Sequence, residues 1–260
     1  MTEYLVERPG CTLHCWAAGP AGAPVVVLTH GAVLDHRMWA GQVDALRARY
    51  RVVTWDVRGH GQSRPLTRPF TLADAVDDLA AVAGQGATCL IGHSMGGNIV
   101  QALIRREPDR AVALVLADTL CNAGPLPQPE ALALRAAPIL AAAPEAALRR
   151  AMAAVTSVRA DVRAYLAAAA APLAKREIVD ILAAAAGAVQ PDPGYRIAKP
   201  LLLIHGERDG TGNMRRAVAA WAAREPASRY VRVPHAGHVA NLDNPEAFNA
   251  ALLSFLGGVA

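Results

Sequence analysis

Lysine is nearly missing from this chain. Of its 26 Lys and Arg residues only Lys175 and Lys199 are lysines, and aromatic residues make up just 5% of the 260 positions. A nucleic-acid surface is built from clustered Lys and Arg interleaved with aromatic rings. Here the arginines are scattered, with adjacent pairs at 105–106, 149–150 and 215–216. The formal charge of +4 therefore reads as a solvated, arginine-rich surface, and no nucleic-acid partner is expected. Long apolar runs are also lacking. No stretch reaches about 18 continuous apolar residues, which argues against a membrane span. The first residues, "MTEYLVERPG", carry acids and no apolar core, so they do not read as a secretory signal. Cysteine is scarce, and Cys11, Cys15, Cys89 and Cys121 have neither zinc-ligand nor redox spacing. A chain of this size does not depend on disulfides, so a reducing cytoplasm is the expected location. Internal repeats and low-complexity linkers are absent as well.

What the chain has is apolar residues, 53% of the total, enough for one sizeable α/β domain with room for an inserted piece. "PVVVLTHG", "RVVTWDVRGHG", "ATCLIG" and "AVALVLADT" are short apolar runs bounded by turn residues, the pattern of buried strands. "CTLHCWAAG" reads as an early strand of a hairpin, with Cys11 and Cys15 on one face. Between the runs lie helical spacings: Trp39, Val43 and Leu46 in one, and "TLADAVDDLAAVA" in another, with Thr71 as N-cap and Asp74 at N3. The alternation predicts a parallel sheet covered on both faces. From about 122 to 196 the rhythm breaks into Ala-, Leu- and Arg-rich sequence, with prolines at 125, 127, 129, 138, 144 and 172 and no convincing strand. Short helices are expected there. The rhythm resumes at "KPLLLIHGERDG" and closes with "SRYVRVPHAGH" and "NPEAFNAALLSFL".

The segment "GHSMGG", residues 92–97, sits where a strand hands over to a helix. A chain that turns from strand to helix through one residue forces that residue into an unusual backbone conformation. Its neighbours two positions away must be small, and Gly92 and Gly96 are. Ser94 is thereby lifted above the sheet, with helix N–H groups behind it. A serine hydroxyl is a weak nucleophile until a base accepts its proton, and the base needs an orienting carboxylate. Asp209, after "LLLIHGER", and His238, after "YVRVPHAG", follow later strands in the expected order. Asp118 also follows a strand and is a rival acid; His235 is a rival base. Acyl transfer also needs oxyanion donors. The N–H of Met95, just after the serine, is one candidate. Ala32 in "THGAVL" is the other, with Val33 as its alternative. His238 must be neutral to act as base; Asp209 would pull its ionisation up, and burial would pull it down.

The stretches "LTHGA", "WDVRGHGQSRP", "IGHSMGG", "LLIHGERDG" and "PHAGHVANLDNPEAF" resemble the α/β-hydrolase fold family, in order, over nearly the whole chain. The resemblance implies an α/β fold with a mostly parallel eight-stranded sheet, helices on both faces and a helical cap. It divides the chain into a hydrolase core at 1–121 and 197–260 and a cap at 122–196. It implies a triad of Ser94, Asp209 and His238, with Ala32 and Met95 as oxyanion donors, and gives Arg58 and His60 a scaffold role. Haloalkane dehalogenases and epoxide hydrolases of this fold need Asp where Ser94 stands and are disfavoured. "GAVLDHRMW", "GHSMGGNIVQAL" and "LVLADT" are similar to the 3-oxoadipate enol-lactonase-like and small-ester hydrolase branch. The expected substrate is a small-molecule ester or lactone, with no metal or organic cofactor, no membrane partner, and a monomer or homodimer. Carbon–carbon bond hydrolysis of a β-diketone-like substrate, or a lyase, cyclase or acyltransferase reaction, would use the same triad. Ile139, Met152 and Tyr165 are candidates to line an apolar pocket. Arg149, Arg150, Arg159 and Arg163 could meet a substrate carboxylate, although surface exposure is the plainer reading.

Overall fold

In the computed structural model, which describes residues 1–85, 87–124 and 142–259, the chain builds one sheet of eight strands. The strands are β1 (Thr2–Arg8), β2 (Cys11–Ala18), β3 (Val25–Thr29), β4 (Arg51–Trp55), β5 (Ala87–His93), β6 (Ala111–Ala117), β7 (Leu201–Gly206) and β8 (Arg229–Val233), in the order β1-β2-β4-β3-β5-β6-β7-β8. β1 and β2 form an antiparallel hairpin, β2 runs antiparallel to β4, and every other neighbouring pair is parallel. β1 is largely exposed and has no apolar alternation, so its sequence carries no strand pattern; pairing with β2 makes it one.

The sheet is covered on both faces. Val26 and Leu28 of β3 point to one apolar cluster, and Val27 between them points to the other. This is the two-residue period of a strand buried on both sides. One cluster takes in Val76 and Leu79 of α2 (Leu72–Ala83), Ile99 and Leu103 of α3 (Met95–Arg106) and Trp221 of a later helix, Met214–Arg224. The opposite cluster takes in Val43 and Leu46 of α1 (Ala40–Leu46), and Phe248 and Leu252 of a helix at Pro245–Leu256. Helix starts follow their caps. The Thr71 hydroxyl accepts the Asp74 N–H at 3.1 Å, and the Asn244 side chain accepts the Ala247 N–H at 3.2 Å.

Between β6 and β7 the described residues form helices and no strand: α4 (Glu145–Thr156), α5 (Ala160–Ala170) and α6 (Lys175–Ala186). The segment leaves and returns at one place, because the N–H groups of Gln190 and Asp192 donate to the carbonyls of Asn122 and Ala123 at 2.7 and 3.0 Å. The prolines at 125, 127, 129 and 138, and Ile139, lie outside the described residues. After β7 come α7 (Met214–Arg224), α8 (Ala240–Asp243) and α9 (Pro245–Leu256). No helix of the described residues is long and apolar enough to cross a membrane.

Arg58 is buried in the loop after β4, where its Nε and Nη2 donate to the two Asp78 oxygens at 2.6 and 2.8 Å. Arg8 adds a third donor to Asp78 at 3.0 Å, tying the hairpin to α2. Removing one partner strands the other's charge without solvent. Asp78→Ala is therefore expected to cost about 3–5 kcal/mol of stability, measured as a lowered guanidinium chloride midpoint; a change within error would show that Asp74, 3.3 Å from Arg58 Nη1, suffices.

Candidate active site

The parallel strands deliver polar side chains to one edge of the sheet, where their C-terminal ends lie. Ser94 follows β5, Asp118 follows β6, Asp209 stands in the loop after β7, and His238 in the loop after β8. Ser94 has φ 50° and ψ −119°. A non-glycine residue held in that region stores strain of about 1–3 kcal/mol. Its surroundings fix it there: its N–H donates to the Ala117 carbonyl at 2.9 Å, and its own carbonyl accepts the Asn98 N–H and the Thr119 hydroxyl. A Cβ on Gly92 would strike the Gly96 carbonyl, and one on Gly96 would strike the carbonyls of Thr29 and His30. Glycine is obligatory at both positions because backbone occupies the space.

The structure brings Ser94, His238 and Asp209 into one hydrogen-bonded chain. His238 Nε2 lies 3.0 Å from Ser94 Oγ, and Nδ1 lies 2.8 Å from Asp209 Oδ2. An ionised carboxylate only accepts, so the proton sits on Nδ1 and the neutral ring offers Nε2 to the hydroxyl. The other Asp209 oxygen accepts the Thr211 N–H at 2.8 Å. Burial works against a charge on His238, but the Asp209 carboxylate, its hydrogen bond and the Asp118 field outweigh it, and the pKa rises above 6.5. Burial likewise pushes Asp209 up, yet His238 and the Thr211 contacts hold it below the usual carboxylate range.

Neither Asp118 nor His235 joins this hydrogen-bonded chain. Asp118 is fully buried, and its oxygens accept the N–H groups of Gly206 and Ala240 at 2.8 and 3.2 Å, not the His238 ring. Burial first, and then the Asp209 charge, push its carboxyl well above the usual range. His235 is exposed; its Nδ1 accepts from Arg208 at 3.1 Å and its N–H donates to Glu207. Asp118, Asp209 and His238 do bring possible metal-ligand atoms within 4.8 Å of one another. Those atoms are already taken by protein donors and by Ser94, so the trio is a hydrogen-bonding cluster rather than an open coordination site.

Gly31 passes so close to the serine that a Cβ there would lie 3.2 Å from Ser94 Cβ and 2.5 Å from His93 Nδ1. This close approach puts Ala32 and Val33 at the wall of a cavity beside Ser94, with Val33 at φ 56°. Met95, on the other side, is the first residue of α3, where backbone N–H groups have no helical partner. The cavity measures about 230 Å³. Its floor is Ala32, Val33, Leu34, His93, Ser94, Thr211 and His238, and its roof is drawn from α4, α5 and α6. Met152 is part of that roof. Tyr165 is not: its hydroxyl donates to Asp35 Oδ1 at 3.0 Å, a partner that a half-buried phenol needs and an apolar pocket lacks. Arg58 and His60 are buried away from this cavity, in the loop that holds Asp78.

Sequence reasoning missed three anchors of the His238 loop. His93 Nε2 donates to the His238 carbonyl at 2.7 Å, and burial, then the charge of His238, lower the His93 pKa to about 3, so it stays neutral. Asp243 accepts the Gly237 N–H at 2.7 Å and is also bonded by Ser157. Thr156, at the end of α4, accepts the Val239 N–H at 3.3 Å. Only the adjacency of His93 to Ser94 was visible in the sequence; the His93 and Thr156 contacts join residues far apart along the chain, and Asp243 reaches back six residues to Gly237.

A mostly parallel sheet with a strained serine between strand and helix, and an acid and a histidine on later loops, defines a class. The chain belongs to the alpha/beta hydrolase family, whose description matches residues 26–251. It is similar to the protein of Caulobacter vibrioides named carbamate hydrolase RutD, at 30% identity over 99% of this chain and 98% of that one. It is 40% identical to 3-oxoadipate enol-lactonase 1 of Acinetobacter baylyi over a segment covering only 36% of each chain. Among solved structures it resembles the enol-lactonase from Burkholderia xenovorans, with a TM-score of 0.80 and 27% identity over 98% of this chain and all of that one.

The opposing influences on His238 can be separated by experiment. Its imidazole is expected to titrate above 6.5 in the native chain, followed by NMR of the ring protons. In Asp209→Asn the carboxylate is gone while burial remains, so the midpoint should fall below that of the native chain; a rise would show that the Asp209 carboxylate is not what holds the His238 pKa up.

Proposed function

We propose that this protein is a serine hydrolase that cleaves a small carboxylic ester or lactone through an acyl-enzyme on Ser94. The observation that carries the reading is the Ser94–His238–Asp209 chain, with contacts of 3.0 and 2.8 Å, at the floor of a cavity. The names of the enol-lactonase relatives point to the same chemistry. Ser94 Oγ attacks the carbonyl carbon while its proton passes to His238 Nε2. Asp209 holds the ring in the right tautomer and stabilises the imidazolium. The N–H groups of Met95 and Ala32 receive the developing oxyanion. Collapse breaks the bond to the alkoxy oxygen, which takes the proton from Nε2; in a lactone that alcohol stays tethered to the acyl group. Water then gives a proton to His238 Nε2 as it attacks the acyl carbon; the bond to Ser94 Oγ breaks, Oγ takes that proton back from Nε2, and the acid leaves. The residues supply every proton transfer, so no metal or organic cofactor takes part. The segment 122–196, with α4–α6, acts as the cap that roofs the acyl pocket on the core of 1–121 and 197–260.

Ser94→Ala is expected to lower turnover of p-nitrophenyl esters by several orders of magnitude, on the scale of about 10⁴–10⁶, with an unchanged melting curve. Near-native rates would remove Ser94 from the mechanism. Asp209→Asn should cost far more turnover than Asp118→Asn, because only Asp209 touches the imidazole. The opposite ranking, read from kcat on the same ester, would transfer the acid role to Asp118.

A further inference from the structure

The chemical character of the cavity walls narrows what they can hold. An apolar cavity of about 150 Å³ takes a benzene molecule. The 230 Å³ above Ser94 thus has room for a group of roughly six to nine carbon atoms on that scale. Its roof is apolar: Met152 and Val155 of α4, Leu166 and Ala170 of α5, Ile178 and Leu182 of α6. His93 is buried and neutral. Among the described lining residues the one cation outside the triad is Arg149, and it decides whether an anionic substrate can be held.

Arg149 is already committed. Its Nε and Nη2 donate to Glu145 Oε1 at 2.9 and 2.6 Å, Nη1 donates to the Ala170 carbonyl at 2.8 Å, and Nη2 donates to the Leu173 carbonyl at 2.6 Å. A guanidinium has five N–H groups, and these bonds use four of them. Carboxylate capture by arginine needs two parallel N–H groups on one edge. The single remaining N–H cannot supply that, and Glu145 has neutralised the charge. Arg149 therefore staples α4 to the α5–α6 corner and shows the cavity a spent cation. Three other arginines of the segment look elsewhere: Arg159 pairs with Asp161, Arg163 donates to the Ser157 carbonyl, and Arg150 is exposed; Arg135 lies outside the described residues.

Resting on the serine-hydrolase reading above, we infer that this site takes esters or lactones whose acyl part is uncharged and apolar, and rejects those ending in a free carboxylate. An anion in that cavity would give up water without finding, among the described lining residues, a free cation to replace it. Glu145, which does not touch the cavity, becomes a specificity residue by holding Arg149.

The test uses the full chain at pH 8 and two probes of equal length: an uncharged hexyl fluorophosphonate and its analogue ending in a carboxylate. Second-order labelling of Ser94 is followed by mass spectrometry. The uncharged probe should react on the order of 100-fold faster, the scale of discrimination a missing polar partner gives. Methyl hexanoate and monomethyl adipate, followed by acid release, should rank the same way. Glu145→Ala, and Glu145→Leu beside it in case the first loosens α4, should free the Nε–Nη2 edge of the guanidinium and shrink the preference by about tenfold. Equal rates for the two probes, or a faster anionic one, would overturn the inference while leaving the nucleophile in place. A preference unmoved in both Glu145 variants would overturn the part given to Arg149 and Glu145. Failure of both probes to modify Ser94 would instead sink the serine-hydrolase reading, and this inference with it.

Discussion

The structure turns on one backbone constraint: β5 must pass into α3 through a single residue. That residue, Ser94, is held in the left-handed region at φ 50°. Such a conformation survives only when its surroundings over-determine it. Here β6 supplies the Ala117 carbonyl to the Ser94 N–H, Thr119 and Asn98 occupy its carbonyl, and the backbones of Thr29 and His30 lie where a side chain at position 96 would go. The turn is thus braced by the two strands that flank β5 in the sheet, β3 and β6. The same close packing carries Gly31 up against the serine and sets the wall of the cavity.

The second constraint is on the loop that carries His238. A histidine on a free loop would rarely meet the serine. This loop is fastened at four successive residues: Gly237 to Asp243, the His238 carbonyl to His93, Val239 to Thr156, and Ala240 to Asp118. The fasteners come from different places. His93 belongs to β5, Asp118 follows β6, Asp243 ends α8, and Thr156 ends α4. The helical segment between β6 and β7 therefore does more than roof the cavity, because the corner after α4 is bonded to the loop that holds the imidazole. Asp118 links the histidine loop to Gly206 at the end of β7, just before the Asp209 loop. It keeps the two loops at a fixed distance while leaving the contact with Nδ1 to Asp209.

Charge is managed by the same economy of partners. Asp118 and Asp209 face one histidine from a buried position, and they do not share it equally. Asp209 receives the imidazole and the Thr211 N–H and stays ionised, while burial and its neighbour's charge lift Asp118. Away from the cavity, Asp78 is held by Arg58 and Arg8, and Asp35 by Arg37 and Tyr165. Many of the arginines are likewise held in ion pairs, and Arg149 shows that this reaches the cavity wall.

The amino-acid pattern by itself determined much of this. Short apolar runs between turn residues mark β3 to β7, because a strand buried on both faces must be apolar throughout. Thr71 marks a helix start, because a helix leaves N–H groups that a side-chain oxygen can satisfy. Gly92 and Gly96 around Ser94 mark the strand-to-helix turn, since steric exclusion acts between neighbours in the chain. Other features had no local signal. β1 is a strand only because β2 pairs with it. Asp118 and Asp209 look alike in the sequence, each following an apolar run. Which one meets His238 depends on where β6, β7 and β8 lie in the sheet and how their loops bend. The positions of Tyr165 against Asp35, Arg149 against the Ala170 carbonyl, and His93 against the His238 carbonyl are of the same kind. Periodicity and capping are written between neighbouring residues, whereas most of these hydrogen bonds join segments that only the finished packing brings within 3 Å of one another.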